Sequence, residues 1–160
     1  MAEPLRLLVV CLGNICRSPM AEGALRARLC EAGLEHATVI DSAGTGDWHV
    51  GDPPDLRATA TASRHGVDIS GLRARQLRAA DFDDFDWLLC ADQANLRDVQ
   101  ALAPEGSRAR IGLFTEWAGL QGAILDPYTG GSDHFEQVWS QVDAAARAAA
   151  ERLRRGGRAD

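Results

Sequence analysis

The apolar run Leu7-Leu8-Val9-Val10 ends at Cys11, and six residues later comes Arg17, followed at once by the helix-start pair Ser18-Pro19. A short, uninterrupted apolar run of this kind is the signature of a strand buried on both faces, which requires a parallel sheet covered by helices above and below. The chain is therefore constrained to an α/β fold. Cys11 falls at the carboxyl end of the first strand, where open parallel sheets bind ligands. Ser18 is suited to an N-cap, and Pro19 to the first helical position, where its missing N–H costs nothing.

Between strand and helix the backbone must turn tightly, and Gly13 and Asn14 are the residue types that best tolerate a positive φ. Successive amides of Leu12, Gly13, Asn14, Ile15 and Cys16 can then point inward as an anion-binding nest, helped by the positive end of the following helix. No lysine contributes, because all 17 residues of the Lys+Arg class are arginine. A Walker-type phosphate loop and a Schiff-base enzyme both need a lysine and are excluded. The same amides and the Arg17 guanidinium favour a thiolate at Cys11, which makes it the expected nucleophile. Arg17 is suited to grip two phosphoryl oxygens in its planar fork, and the Ser18 hydroxyl to donate to the sulfur when it leaves.

The rest of the chain alternates helix and strand signals. Helices are expected over 19–33, 56–65, 92–102 and 133–154, and strands over 37–40, 87–90 and 109–113, with loops at 42–55 and 121–132. This pattern implies one α/β domain over residues 1–160, fraying at about 155–160. Its expected architecture is three-layered, with a parallel sheet, helices on both faces and the phosphate-binding loop after strand 1. With 46% apolar content the length suits one well-buried core. The net charge of −6 argues against a nucleic-acid or anionic-membrane partner. No apolar run approaches the roughly 18 residues of a membrane span, and no signal-peptide pattern opens the sequence, so the default expectation is cytoplasmic. Cys11, Cys16, Cys30 and Cys90 have no spacing suited to zinc, and free thiols are expected.

If Cys11 takes a phosphoryl group from an ester, the departing oxygen needs a proton, so some carboxylic acid must reach the loop. Asp126 stands out among the carboxylates, because Pro127 fixes the backbone beside it and Gly130-Gly131 lets the loop fold back. Trp48 and Tyr128 sit on glycine- and proline-rich loops where burial is hard to arrange, so their rings are candidates for the walls of a slot.

The stretch Cys-Leu-Gly-Asn-Ile-Cys-Arg-Ser-Pro-Met-Ala-Glu at 11–22 closely resembles the signature of the low-molecular-weight protein tyrosine phosphatases, in their bacterial type. The resemblance continues through Asp41-Ser42-Ala43-Gly44-Thr45, Arg64-His65-Gly66-Val67, Ala74-Arg75-Gln76, Phe85 to Asp92, and Asp126-Pro127-Tyr128. It implies a four-stranded parallel sheet and phosphotyrosine hydrolysis, with Cys11 as nucleophile, Arg17 as transition-state binder and Asp126 as acid, then base. The resemblance further implies that Asn14, Ser42, His65 and Asp92 brace the loop, and that Cys16 pairs reversibly with Cys11 under oxidation. Thr129 replaces a second aromatic that the family often carries, which predicts a more open mouth. The implied partner is a phosphotyrosine-containing protein, with phosphate or vanadate as competing anions, and no cofactor or metal; a monomer or weak homo-oligomer is expected. A mildly acidic rate optimum follows if Cys11 must be ionised while Asp126 is protonated.

Three rivals share some of these features. An arsenate reductase would need further cysteines as a relay, and a protein-arginine phosphatase commonly carries threonine where Ile15 stands. A phosphate-binding module without turnover has no use for Cys11 and Asp126 together.

Overall fold

Alternation along the first strand sets the layers. In β1 (Leu5–Cys11), Leu5, Leu7, Val9 and Cys11 enter one apolar core, while Leu8 and Val10 enter another on the opposite face. The computed structural model describes residues 3–156. The first core is built with α1 (Arg17–Glu31), α2 (Leu56–Arg64), α5 (Phe114–Trp117) and α6 (Ser132–Arg154). The second packs Phe82 of α3 (Asp81–Asp84), together with Phe85, and Val99 of α4 (Gln93–Leu102) under the sheet.

The sheet has the order β2-β1-β3-β4, with β2 at Thr38–Gly44, β3 at Trp87–Cys90 and β4 at Arg110–Leu113, every neighbouring pair being parallel. The chain leaves β1 for β2 on one side and later returns to β3 on the other. Strand order therefore reverses at β1, and the crevice at such a switch point opens beside the carboxyl end that carries Cys11. The four-stranded parallel sheet between two helical layers agrees with the sequence expectation.

Three local features differ from it. β2 extends to Gly44, because Ser42, Ala43 and Gly44 stay in register with Val9, Val10 and Cys11. Ser42 is thus a strand residue beside the loop and not the start of a surface loop. Helix α1 begins at Arg17 with Cys16 as its cap residue and no side-chain cap, since the Met20 amide donates to the Cys16 carbonyl. Ser18 lies inside the first turn and is fully buried, so it does not serve as N-cap. The four-residue helices α3 and α5 are too short to show a periodic pattern and had no counterpart in the expected elements. Of the expected fraying tail, Arg155 and Gly156 close α6 as a turn, and residues 157–160 lie outside the described residues.

Gly23 lets α1 approach the 67–69 segment closely. A Cβ there would lie 2.6 Å from Ile69 Cγ2 and 3.0 Å from Val67 Cγ1. Alanine would gain about 1 kcal/mol of helix propensity, but Ile69 is buried and β-branched and cannot swing aside. Overpacking of this kind costs about 1–3 kcal/mol, so Gly23→Ala is expected to lower the urea midpoint despite the better helix former. A rise in midpoint would show that Ile69 yields more easily than its packing implies.

Candidate active site

The loop from Leu12 to Cys16 turns back on Cys11 because Asn14 takes φ +58°. Gly13, the other expected candidate, does not adopt a positive φ. The turn brings the Asn14 amide to 3.3 Å from Cys11 Sγ. The amides of Leu12, Gly13, Ile15 and Cys16 donate to no protein group among the described residues. Together with the start of α1, they make a concave surface of donors around one sulfur.

A chain of hydrogen bonds with a fixed direction holds this shape. The Asn14 side-chain NH2 donates to Ser18 Oγ at 2.8 Å and to Ser42 Oγ at 3.0 Å, while its carbonyl accepts from the Arg75 amide at 3.0 Å. The Ser42 hydroxyl donates to buried Glu22 Oε1 at 2.7 Å. Ser18 Oγ, which accepts from Asn14, also lies 3.0 Å from Cys11 Sγ; toward a thiolate, which only accepts, its hydroxyl is the donor. Burial pushes the Glu22 carboxyl up, against the opposing influence of Ser42 and Arg26. Gly44 completes the cradle: a Cβ there would lie 2.7 Å from the Leu12 carbonyl and 3.2 Å from the Asn14 nitrogen.

Arg17 enters the site held by one edge. Its buried guanidinium donates through one terminal nitrogen to Asp92 Oδ2 at 2.7 Å and to the Ile124 carbonyl at 3.1 Å. Its Nε and second terminal nitrogen make no hydrogen bond among the described residues, which leaves a two-donor fork for an anion. Asp92 also caps α4 by accepting from the Asn95 amide.

The free edge of Arg17 faces the acid loop, with its second terminal nitrogen 3.9 Å from Asp126 Oδ2. Asp126 is half exposed, and its other oxygen accepts from the Tyr128 amide. Arg57 straps this loop to the molecule, donating to the carbonyls of Tyr128 and Gly130 while its guanidinium lies over the Tyr128 and Phe135 rings. Its position is fixed in turn by Asp55, whose own amide donates to the Ile15 carbonyl. The acid loop is thereby registered against the phosphate loop.

Cys11, Leu12, Gly13, Ile15, Cys16, Arg17, Trp48, His49, Asp126 and Tyr128 line one slot of about 170 Å³. Trp48 and Tyr128 are 69% and 51% exposed, so both stand as rims and neither caps a core. The Trp48 ring lies against Gly46, where a Cβ would come within 1.9 Å of it. His49, which had no assigned role, lies on the wall between Gly13 and Tyr128. Thr129 is exposed and does not line the slot.

The structure places Asn14, Ser42 and Asp92 around the loop, but not His65. That side chain bonds Glu136 at 2.7 Å and stacks on Trp139, both on α6, so its hydrogen bonds go to a helix and not to the phosphate loop. Glu22, Gly44, Arg57 and Arg75 complete the support and were not singled out by sequence reasoning. Cys16 is buried beside Cys11 as a free thiol, and burial first, then the Asp55 carboxylate, pushes it well above the usual cysteine range. Among the described residues, no cluster of three or more His, Cys, Asp or Glu is placed to hold a metal ion.

Burial opposes ionisation of Asp92, but the amides of Asn95 and Ala94 and the Arg17 guanidinium together hold its carboxyl below the usual 3.8. An acid depressed in the folded state stabilises fully above its unfolded value, and that stability is lost as pH falls through the folded one. Asp92→Asn keeps an oxygen for the cap and removes the charge. It is expected to be less stable than wild type at neutral pH, and to lose less when urea midpoints are followed down from about pH 5. Parallel pH profiles for the two proteins would mean that the Arg17 pair carries none of this dependence.

A sequence model described as low molecular weight phosphotyrosine protein phosphatase matches residues 6–159. A protein of that name from Schizosaccharomyces pombe is 45% identical over 145 residues, covering 89% of this chain and 92% of its own. A low molecular weight protein-tyrosine-phosphatase from Streptomyces coelicolor is 42% identical over 146 residues and 88% of each chain. Among solved structures, a protein tyrosine phosphatase from Entamoeba histolytica superposes with a TM-score of 0.88 at 29% identity, over 95% of this chain and 98% of its own. With the loop geometry and the parallel sheet behind it, this similarity across nearly the whole length makes the chain a member of the low molecular weight phosphotyrosine protein phosphatase family.

Proposed function

We infer that the protein hydrolyses phosphotyrosine in protein substrates, and small aryl phosphates, through a phosphocysteine. The observation that carries this reading is the meeting, at one sulfur, of the amide ring, the half-tethered Arg17 and the carboxyl of Asp126. The Cys11 thiolate attacks phosphorus, forming the S–P bond as the P–O bond to the aryl group breaks. Asp126 gives its proton to the departing phenolate oxygen. The amides and the free edge of Arg17 hold the three equatorial oxygens as their charge shifts. Water then attacks phosphorus, its proton passes to Asp126, and the S–P bond breaks with the Ser18 hydroxyl donating to the returning thiolate. Inorganic phosphate leaves.

The apolar side chain of Ile15 in the slot suits an aryl ester better than a guanidinium phosphate, whose N–H groups need polar partners. A relay of the arsenate-reductase kind has little support. Cys30 is exposed near the far end of α1, about 20 Å along the helix from Arg17 at 1.5 Å per residue. Cys90 is buried in β3, with its thiol pushed up to about 12 by that burial. The reading extends to competitive inhibition by phosphate and vanadate, and to a cytoplasmic monomer or weak homo-oligomer. No described helix is long and apolar enough to cross a membrane.

Cys11→Ser is expected to abolish turnover of p-nitrophenyl phosphate and phosphotyrosine peptides while still binding vanadate. Full activity in that variant would remove the nucleophile. Asp126→Ala should lower kcat by about 10²–10⁴, and more for phenyl phosphate than for p-nitrophenyl phosphate, because the poorer leaving group depends more on the proton. A phosphoarginine peptide cleaved faster than its phosphotyrosine counterpart would overturn the substrate class.

Arg57 touches no reacting atom in this scheme, so it is a positioning residue. Arg57→Ala is expected to lower kcat by up to roughly 100-fold with the same leaving-group dependence as Asp126→Ala. Loss that is equal for both esters would assign Arg57 to stability alone.

A further inference from the structure

A second groove begins where the slot ends. Leu12 and Trp48 line both, and the groove continues over Thr45 and Gly46 to Asp98, Ala101 and Leu102 on the last turns of α4. Its floor is fastened to the phosphate loop, because the Thr45 amide donates to the Cys11 carbonyl and the Gly46 amide to that of Leu12. Its lining is mainly apolar yet open to water, with Leu12 42% and Leu102 55% exposed. Asp98, exposed at the edge, makes no ion pair or hydrogen bond among the described residues. On a surface where many carboxylates are paired with arginine, a lone charge beside an apolar trough is a distinctive recognition feature.

We propose that this groove is a second substrate subsite, receiving the polypeptide segment next to the phosphotyrosine. One apolar side chain of the substrate lies on Leu12, Ala101 and Leu102, and one basic side chain pairs with Asp98. The proposal rests on the phosphotyrosine reading and deepens it. Continuity argues for this occupant: the slot has room for the phosphoaryl group, so the chain bearing it must pass over a rim. On the Tyr128 side that rim is backed by the Arg57 guanidinium, whereas the Trp48 side opens directly into the trough. Charge points the same way, since Asp98 and the net charge of −6 both favour a substrate with basic residues. Trp48 forms the ridge between the two cavities. Leu102 and Asp98 are the specificity-determining residues, and they act only on substrates long enough to reach them.

The test uses phosphotyrosine peptides in which a single Leu, or a single Arg, is moved through the positions on either side of the phosphotyrosine in an alanine background. Wild type should show about a fivefold gain in kcat/KM for Leu at one position, and a comparable gain for Arg at another. Leu102→Ser should erase the Leu preference alone, and Asp98→Asn the Arg preference alone, with p-nitrophenyl phosphate turnover unchanged in both. A flat scan, or preferences that survive both substitutions, alongside normal p-nitrophenyl phosphate turnover overturns the subsite and leaves the phosphatase reading standing. Failure of wild type to hydrolyse p-nitrophenyl phosphate at all overturns that reading first, and the subsite with it.

Discussion

The directional hydrogen-bond chain from Asn14 is the constraint on which the site depends. Amide NH2 groups only donate, while carboxylates and thiolates only accept, so each serine that takes a hydrogen from Asn14 hands its own to the anion on its far side. Ser42 donates its hydrogen to Glu22, and Ser18 turns its own toward the sulfur when that sulfur is a thiolate. A loop whose amides face one another's neighbours would open without such bracing, because unpaired donors repel. Here the bracing comes from a buried network in which both polar atoms of the Asn14 side chain are satisfied.

Strand order explains why the other parts can reach this point. β1 lies between β2 and β3, so the ends of three strands deliver Cys11, the Ser42–Gly44 segment and Asp92 to one place. Arg17 uses that arrangement asymmetrically. Asp92 and the Ile124 carbonyl immobilise one side of its guanidinium, so little side-chain freedom is left to lose when an anion takes the other side. Arg57 does the corresponding work for the acid loop through two carbonyls and two aromatic faces.

The first strand, the following loop and the alternation of helices and strands were legible because each has a local signal: apolar runs, a turn-forming pair and the helix stop at Gly33. Cys11 and Arg17 could be named from their spacing between a strand and a helix start, and Asp126 from its proline neighbour and its match to the family's Asp-Pro-Tyr motif, since carboxylates as such are abundant in this chain. What stayed hidden depends on distance in the chain. Arg57 and Glu22 are ordinary helix residues until folding sets them beside Tyr128 and Ser42. Ser18 carries a capping signature, yet its hydroxyl faces the sulfur, and the helix starts two residues earlier than that signature implies. His65 lies in a segment that resembles the family, but its ring meets α6, a contact that local spacing could not reveal.

Asn14 also limits which sequences can encode this site. Its backbone needs a residue at ease with positive φ, and its side chain must offer two hydrogens and one lone-pair oxygen at a fixed reach. Glycine meets the first demand only, and aspartate exchanges donors for a repelling charge. Glutamine places its amide one methylene too far. Mutational drift at this codon therefore meets a wall on every side, and any tolerated change must be accompanied by rebuilding of the serines that lean on it.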